Sequence, residues 1–207
     1  MSDLADLLHH VPVPETAKDM VVQRMQEPHR RYHNLDHVLE MWVWYKQHCM
    51  YRGDHIDAIV GSFCLYHDAI YDPRSADNEQ RSAHLWLSDT LADDYIRDAV
   101  HNSILASADH FHRDTCWDAS MHWCLDLDLL RLGSPEAKFV QHGQDIRREY
   151  DHLTDQQWTR ASSEFRARVI AQPKIFVFSP FAQIELQARR NLARALLQDW
   201  QALGWLD

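Results

Sequence analysis

The stretch IDAIVGSFCLYHD, residues 56–68, decides the fold, because its apolar positions follow the period of an α-helix. They form one stripe, made of Ile56, Ile59, Val60, Phe63 and Cys64. His67 continues that stripe and Asp68 follows it directly. Imidazole and carboxylate are common ligands of catalytic metals, so a ligand pair is expected where this helix meets the core.

A second helix is predicted to begin just after Asn34, a residue type that often caps helix N-termini. Its apolar stripe consists of Leu35, Val38, Leu39, Trp42 and Tyr45. His37 lies in the first turn. His33 precedes the cap, and two interpretations stay open: a ligand on the same face as His37, or a histidine that hydrogen-bonds near the site without binding metal.

A third predicted helix carries carboxylates inside an apolar run. The apolar residues are Met121, Cys124, Leu125, Leu127, Leu129 and Leu130. Asp126 and Asp128 lie among them, and buried carboxylates need partners, of which a metal is one. Two residues this far apart on a helix point about 200° away from each other, so they are not expected to bind the same ion.

Together these segments resemble the HD superfamily of metal-dependent phosphohydrolases, and more narrowly its small bacterial members. The signature of that superfamily is a His, a later His-Asp pair and a distant Asp on successive helices. The matching segments are residues 32–38, 66–71, 78–83, 126–133, 146–150 and 188–192. They extend over the greater part of the chain, from about residue 28 to residue 197.

The resemblance implies that the metal ligands are His37, His67, Asp68 and Asp128. Asp128 is preferred because the last Asp of many HD proteins follows a small or apolar residue and starts an Asp-x-Leu-like turn; Asp126 stays the alternative. The implied metal is a divalent ion such as Mn, Co, Fe, Zn or Mg. A second metal near His110 is a further possibility, and His101 and His112 are weaker candidates.

The implied reaction is hydrolysis of a phosphoester of a small soluble metabolite, with a nucleotide among the candidates, by metal-activated water. Asp68 is expected to orient the water. Glu79 is the candidate general acid or base, although it is equally typical of a first-turn residue that favours the helix dipole.

Binding of the substrate phosphate is assigned, by the same resemblance, to Arg147 and Arg189, together with His33. Salt bridges to Glu149 or Glu185 on the same helices are the structural alternative for the two arginines.

Two other functions stay open beside hydrolysis. HD-type helical frameworks with additional His ligands also house di-iron oxygenases. A metal-stabilised module that binds a nucleotide or a protein without turnover would carry the same ligands, and a shared fold does not choose among these functions.

Composition predicts one all-α domain spanning residues 1–207, an HD-type helical bundle with about seven to nine helices. The chain has 207 residues, 45% of them hydrophobic, and only five glycines. Its formal charge of −10 argues against binding a nucleic-acid polymer. No stretch approaches a membrane span, and the cysteine spacing favours reduced thiols, so a cytoplasmic protein is expected, with a homodimer left open.

Overall fold

The computed structural model describes residues 2–50, 52–111 and 118–206. Within these residues the protein has ten α-helices and no β-strand, which confirms the all-α prediction and slightly exceeds the expected number of helices. The chain divides into two compact units, Met1–Asp128 and Leu129–Asp207. That the whole chain acts as one catalytic domain stays a prediction.

The first unit contains seven of the helices in its described residues. They are α1 (Asp3–His10), α2 (Glu15–Arg24), α3 (Leu35–His48), α4 (Asp54–Tyr66), α5 (Asn78–Asp89), α6 (Asp94–Ser107) and α7 (Ala119–Asp128). Helix α4 lies at the centre, since it contacts each of the other six.

The central position of α4 explains its sequence. All ten residues from Asp57 to Tyr66 are buried, so the helix is enclosed on every side and not only along the predicted stripe. A helix that is apolar nearly all round is typical of such a position. His67 caps the C-terminus of α4 and is itself buried, with 2% of its surface exposed. The ligand pair therefore lies at the end of the most enclosed helix of this unit.

The start of α3 is fixed by Asn34, as the sequence predicts. Its side-chain oxygen accepts hydrogen bonds from the backbone N–H groups of Asp36 at 3.1 Å and His37 at 3.2 Å. These are two of the N–H groups that a helix cannot satisfy by itself. The cap thus holds the backbone of His37 directly.

The second unit is built around its last helix. It contains a 3-10 helix (Leu130–Gly133), α8 (Glu136–Glu149), α9 (Asp155–Ala171), a second 3-10 helix (Ser179–Phe181) and α10 (Ala182–Ala202). Thr154 and Gln157 form a reciprocal capping box at the start of α9. Buried Asn191 on α10 donates to the backbone oxygens of Leu132 at 2.9 Å and Ser134 at 2.8 Å, which attaches α10 to the first 3-10 segment.

Among the described residues, no helix combines the length and the apolar character that crossing a lipid bilayer would require. Cys49, Cys64 and Cys124, the cysteines that the structure describes, form no disulfide with one another, and Cys116 lies outside the described residues.

Candidate metal centre

Three helices of the first unit bring His37, His67 and Asp128 together. His37 is in the first turn of α3, His67 caps α4, and Asp128 is the last residue of α7. One ligand atom from each lies within 4.8 Å of the others. Nε2 of His37 is 3.2 Å, and Nε2 of His67 is 3.5 Å, from Oδ1 of Asp128. Residues separated by up to 91 positions in the sequence therefore face one point.

The spacing of these atoms fits one bound divalent ion. Nitrogen and oxygen ligands lie about 2.1 Å from a first-row ion, so neighbouring ligands in a tetrahedral or octahedral site are about 3.0–3.4 Å apart. The two distances to Asp128 are close to that range. A small shift of side chains would suffice to coordinate a metal.

Asp68 supplies a second carboxylate beside the cluster. Its Oδ2 lies 3.0 Å from Nε2 of His67, and 15% of its side chain is exposed. The side chain of Asp128 has the same exposure. Two carboxylates and two imidazoles thus share a site that is largely buried yet open to solvent on the carboxylate side.

The orientation of His67 favours metal binding. Its Nδ1 lies 3.0 Å from the carbonyl oxygen of Phe63, and because a carbonyl only accepts, Nδ1 carries a proton that it donates. In the neutral ring Nε2 then presents its lone pair, which is the tautomer a metal needs. Nε2 is buried and has no hydrogen-bond partner among the described residues. Without a metal, the neighbouring carboxylates of Asp68 and Asp128 favour the protonated ring. When that proton is lost, Nε2 faces two carboxylates, and this set of ligand atoms fits a divalent cation.

The surroundings of Asp128 and Asp68 lower the pKa of both carboxyl groups and so favour their ionised form. Burial acts to raise the pKa of Asp128, but the charge of His67 and hydrogen bonds from His110 and His37 outweigh it and hold that pKa well below its usual value. Burial also opposes ionisation of Asp68, and the charges of His67 and His33 again lower its pKa. Burial acts to lower the pKa of His67, yet Asp68 and Asp128 raise it well above the usual value.

His110 joins the cluster from the segment after α6. Its Nε2 lies 2.8 Å from Oδ2 of Asp128, so Asp128 directs one oxygen toward the two histidines of the cluster and the other toward His110. A second metal at His110 stays a prediction. His101 is half-buried on α6 with Nδ1 3.4 Å from the Asn102 side chain, and His112 lies outside the described residues.

Of the two carboxylates of α7, the structure brings Asp128 to the cluster. Asp126 is fully buried and is not part of the ligand group found among the described residues.

His33 is not a member of the ligand group, but it lies close enough to Asp68 to lower the pKa of that carboxyl. Its ring packs against Tyr71 at 4.4 Å and Tyr32 at 4.8 Å between ring centroids. The ring of Tyr32 in turn lies 5.3 Å from that of His37. His33 is therefore a half-buried histidine at the edge of the site, held by two tyrosine rings.

The other predicted site residues have different surroundings. Glu79 is half-buried in the first turn of α5, and its catalytic role stays a prediction. Arg147 donates to the carbonyls of Tyr150 and Leu153 and to Asp155. Arg189 pairs with Glu185 at 2.8 Å, which is the structural alternative that the sequence allowed. Arg189 also donates to the carbonyls of Ile170, Gln172 and Pro173.

One residue near the site has no signal in the sequence. Arg30 lies in the irregular segment before α3 and is 5% exposed, and it donates to the backbone oxygen of Asp68 at 2.7 Å. A single arginine outside any helical period gives no pattern to detect. Only its burial in the structure reveals it.

Comparison of this chain with protein-family models, with curated proteins and with solved structures finds no match. Membership of the HD superfamily therefore stays a prediction from the sequence.

Proposed function

We propose that this protein is a metal-dependent phosphohydrolase that cleaves a phosphoester of a small soluble metabolite. The observation that carries the proposal is the meeting of His37, His67 and Asp128 from three helices, with Asp68 beside them. Mixed imidazole and carboxylate ligands with solvent access on one side are typical of catalytic rather than structural metal sites.

His37, His67, Asp128 and Asp68 would hold the metal. When bound, a divalent ion supplies Lewis-acid polarisation of a phosphoryl oxygen and a lowered pKa for water. The lowered pKa of Asp68 keeps its carboxylate ionised, and its partial exposure lets it accept a hydrogen bond from water at the site. Asp68 thereby orients a nucleophile that approaches from solvent.

His33 lies beside the cluster, where it could meet the charge of a phosphate. It is half-buried next to Asp68, and the rings of Tyr71 and Tyr32 restrict its orientation. An imidazole N–H in this position donates to a phosphoryl oxygen without a large loss of side-chain entropy. Arg147 and Arg189 are less suited to phosphate binding, because their guanidinium groups donate to carbonyls and carboxylates of the second unit.

The test combines metal analysis of the purified protein with a phosphate-release screen. Nucleotides and sugar phosphates are supplied with Mn²⁺, Co²⁺, Mg²⁺ or Zn²⁺, and wild type is compared with His67→Ala and Asp128→Asn. His48→Ala is the matched control, because His48 is an exposed histidine at the other end of α3. Metal-dependent release that is lost in the two site variants and kept in the control is the expected result.

Two outcomes would contradict the proposal. Stoichiometric bound metal without turnover of any phosphoester would indicate a binding module. Two irons per chain with oxygen uptake and no phosphate release would indicate an oxygenase.

A further inference from the structure

Arg30 connects the segment before α3 to the turn that follows the His-Asp pair. Its Nη1 donates to the carbonyl oxygen of Asp68 at 2.7 Å and to that of His33 at 3.1 Å. Its Nη2 donates to the carbonyl oxygen of Ala69 at 3.3 Å. One guanidinium group thus holds the backbone of a predicted ligand, the residue after it, and the histidine at the edge of the site.

The surroundings of Arg30 leave its guanidinium little freedom. Only 1% of its side chain is exposed, Nε donates to Glu27 at 3.1 Å, and the guanidinium carbon lies 5.4 Å from the centre of the Tyr71 ring. A buried charged group is costly unless its hydrogen bonds are satisfied. The planar fork of Arg can reach several carbonyls at once, whereas the ammonium of Lys is a single compact donor group.

Two of the residues whose carbonyls Arg30 holds, Asp68 and His33, have side chains at the candidate metal centre. The backbone of Asp68 determines where its carboxylate can point, and that carboxylate lies 3.0 Å from Nε2 of His67. The backbone of His33 determines where its imidazole lies relative to Asp68. If the peptide group of Asp68 or of His33 rotated, the carboxylate of Asp68 or the imidazole of His33 would move relative to the metal centre.

We propose that Arg30 is a positioning residue that sets the Asp68 carboxylate and the His33 imidazole at the metal centre by holding the carbonyls of His33, Asp68 and Ala69. This inference rests on the metal site proposed above. Partners that orient metal ligands from outside the coordination shell typically change metal affinity on the order of 10–100-fold when they are removed. Arg30 acts through the backbone of its neighbours and touches no reacting atom.

The experiment measures metal affinity directly, by titration calorimetry of metal-free protein with Mn²⁺ or Zn²⁺, for wild type, Arg30→Gln and Arg30→Lys. Thermal unfolding of each metal-free variant is recorded in parallel. Arg52→Gln and Arg52→Lys are controls, because the guanidinium of Arg52 is likewise held by hydrogen bonds, two of them to the carboxylate of Asp57, and lies 5.7 Å from the ring of Tyr45. Arg52 is more exposed, with 34% of its side chain accessible, so these controls report what removing a hydrogen-bonded arginine of the same unit does away from the candidate site, and the thermal unfolding data correct for the difference in burial.

The expected result is a loss of metal affinity of about tenfold or more in Arg30→Gln and a smaller loss in Arg30→Lys, with both Arg52 variants close to wild type. Affinity within about twofold of wild type in a folded Arg30 variant, with only the unfolding temperature lowered, would overturn the inference. If Arg30→Gln does not fold, Arg30→Lys decides by the same criterion. Failure of wild type to bind any metal would instead refute the proposed function, and this inference with it.

Discussion

Nε2 of His67 lies 3.0 Å from Oδ2 of Asp68, so two residues that are adjacent in the sequence direct their side chains to the same point. Adjacent residues of a regular helix point about 100° apart, and their side chains do not normally meet. The pair lies where α4 ends at Tyr66 and the chain continues in a turn that the Ala69 N–H closes on the carbonyl oxygen of Tyr66. The His-Asp pair of the candidate site is thus placed at the end of a buried helix.

The choice between the two carboxylates of α7 can be tested with a pair of isosteric variants. We expect Asp128→Asn to weaken metal binding by about tenfold or more, because it removes a charged ligand from the cluster. Asp126→Asn should leave metal affinity within about twofold of wild type, since Asp126 is outside the cluster. Calorimetric titration of the two metal-free variants distinguishes them, and the reverse order would make Asp126 the ligand.

Metal should stabilise the protein against heat. A ligand at one hundred times its Kd adds about 2.7 kcal/mol to the free energy of unfolding. For a chain of about 200 residues, each kcal/mol raises Tm by about 2–4 °C, so a rise of about 5–11 °C is expected. The measurement is thermal unfolding with chelator and with increasing metal. His67→Ala should abolish the shift and His48→Ala should retain it; an equal shift in both variants would place the metal elsewhere.

Asp6 gives a pH dependence that is separate from the metal centre. A hydrogen bond from Lys46 at 2.5 Å, supported by one from Trp42, lowers the pKa of Asp6 below its ordinary value of 3.8 although burial opposes this. Because the pKa is lower in the folded state, the stabilisation is present above pH 3.8 and is lost as pH falls through the folded pKa.

The corresponding measurement is urea unfolding at pH 7 and near pH 3. Asp6→Asn should be less stable than wild type at pH 7, and the difference should shrink at the lower pH. Asp3→Asn is the control on the same helix, because Asp3 is exposed and lies 3.5 Å from Lys46. A difference between wild type and Asp6→Asn that does not change with pH would contradict the assignment.

Gly133 tests the packing of the second unit. A Cβ at this position would lie 2.6 Å from Cβ of Ile184 and 3.0 Å from its backbone oxygen, so Gly133→Ala should cost roughly 1–3 kcal/mol. Gly143, within α8, has nothing within 4 Å of such a Cβ. Gly143→Ala should instead stabilise by about 0.5–1 kcal/mol, because Gly is unfavourable inside a helix. Equal effects of the two changes on urea unfolding would refute the close approach at Gly133.

Several helix boundaries could be predicted because they depend on local chemistry. Asn34 caps α3 and Thr154 caps α9 through hydrogen bonds to residues two or three positions away. Gly204 ends the last helix with a φ of +69°, a conformation that favours glycine. Both partners of each of these interactions lie within a few residues of each other, so the local sequence is enough to predict the helix boundary.

The burial of α4 could not be predicted in full from its sequence pattern. The period of residues 56–67 identifies one buried stripe, yet the structure buries every residue from Asp57 to Tyr66. Polar Asp57 and Ser62 are included because neighbouring helices cover those faces. A period reports one face of a helix and not the number of helices packed around it.

The sequence by itself determined an all-helical protein, the caps that begin its helices, and a set of histidines and carboxylates suited to a metal. Only the tertiary structure decided that Asp128 and not Asp126 joins His37 and His67, that His110 reaches the same carboxylate, and that Arg30 holds the turn after Asp68. The physical reason is that helical period fixes the direction of a side chain about its own axis. The partner that it meets depends on how separate helices pack, and that is settled by contacts between residues far apart in the chain.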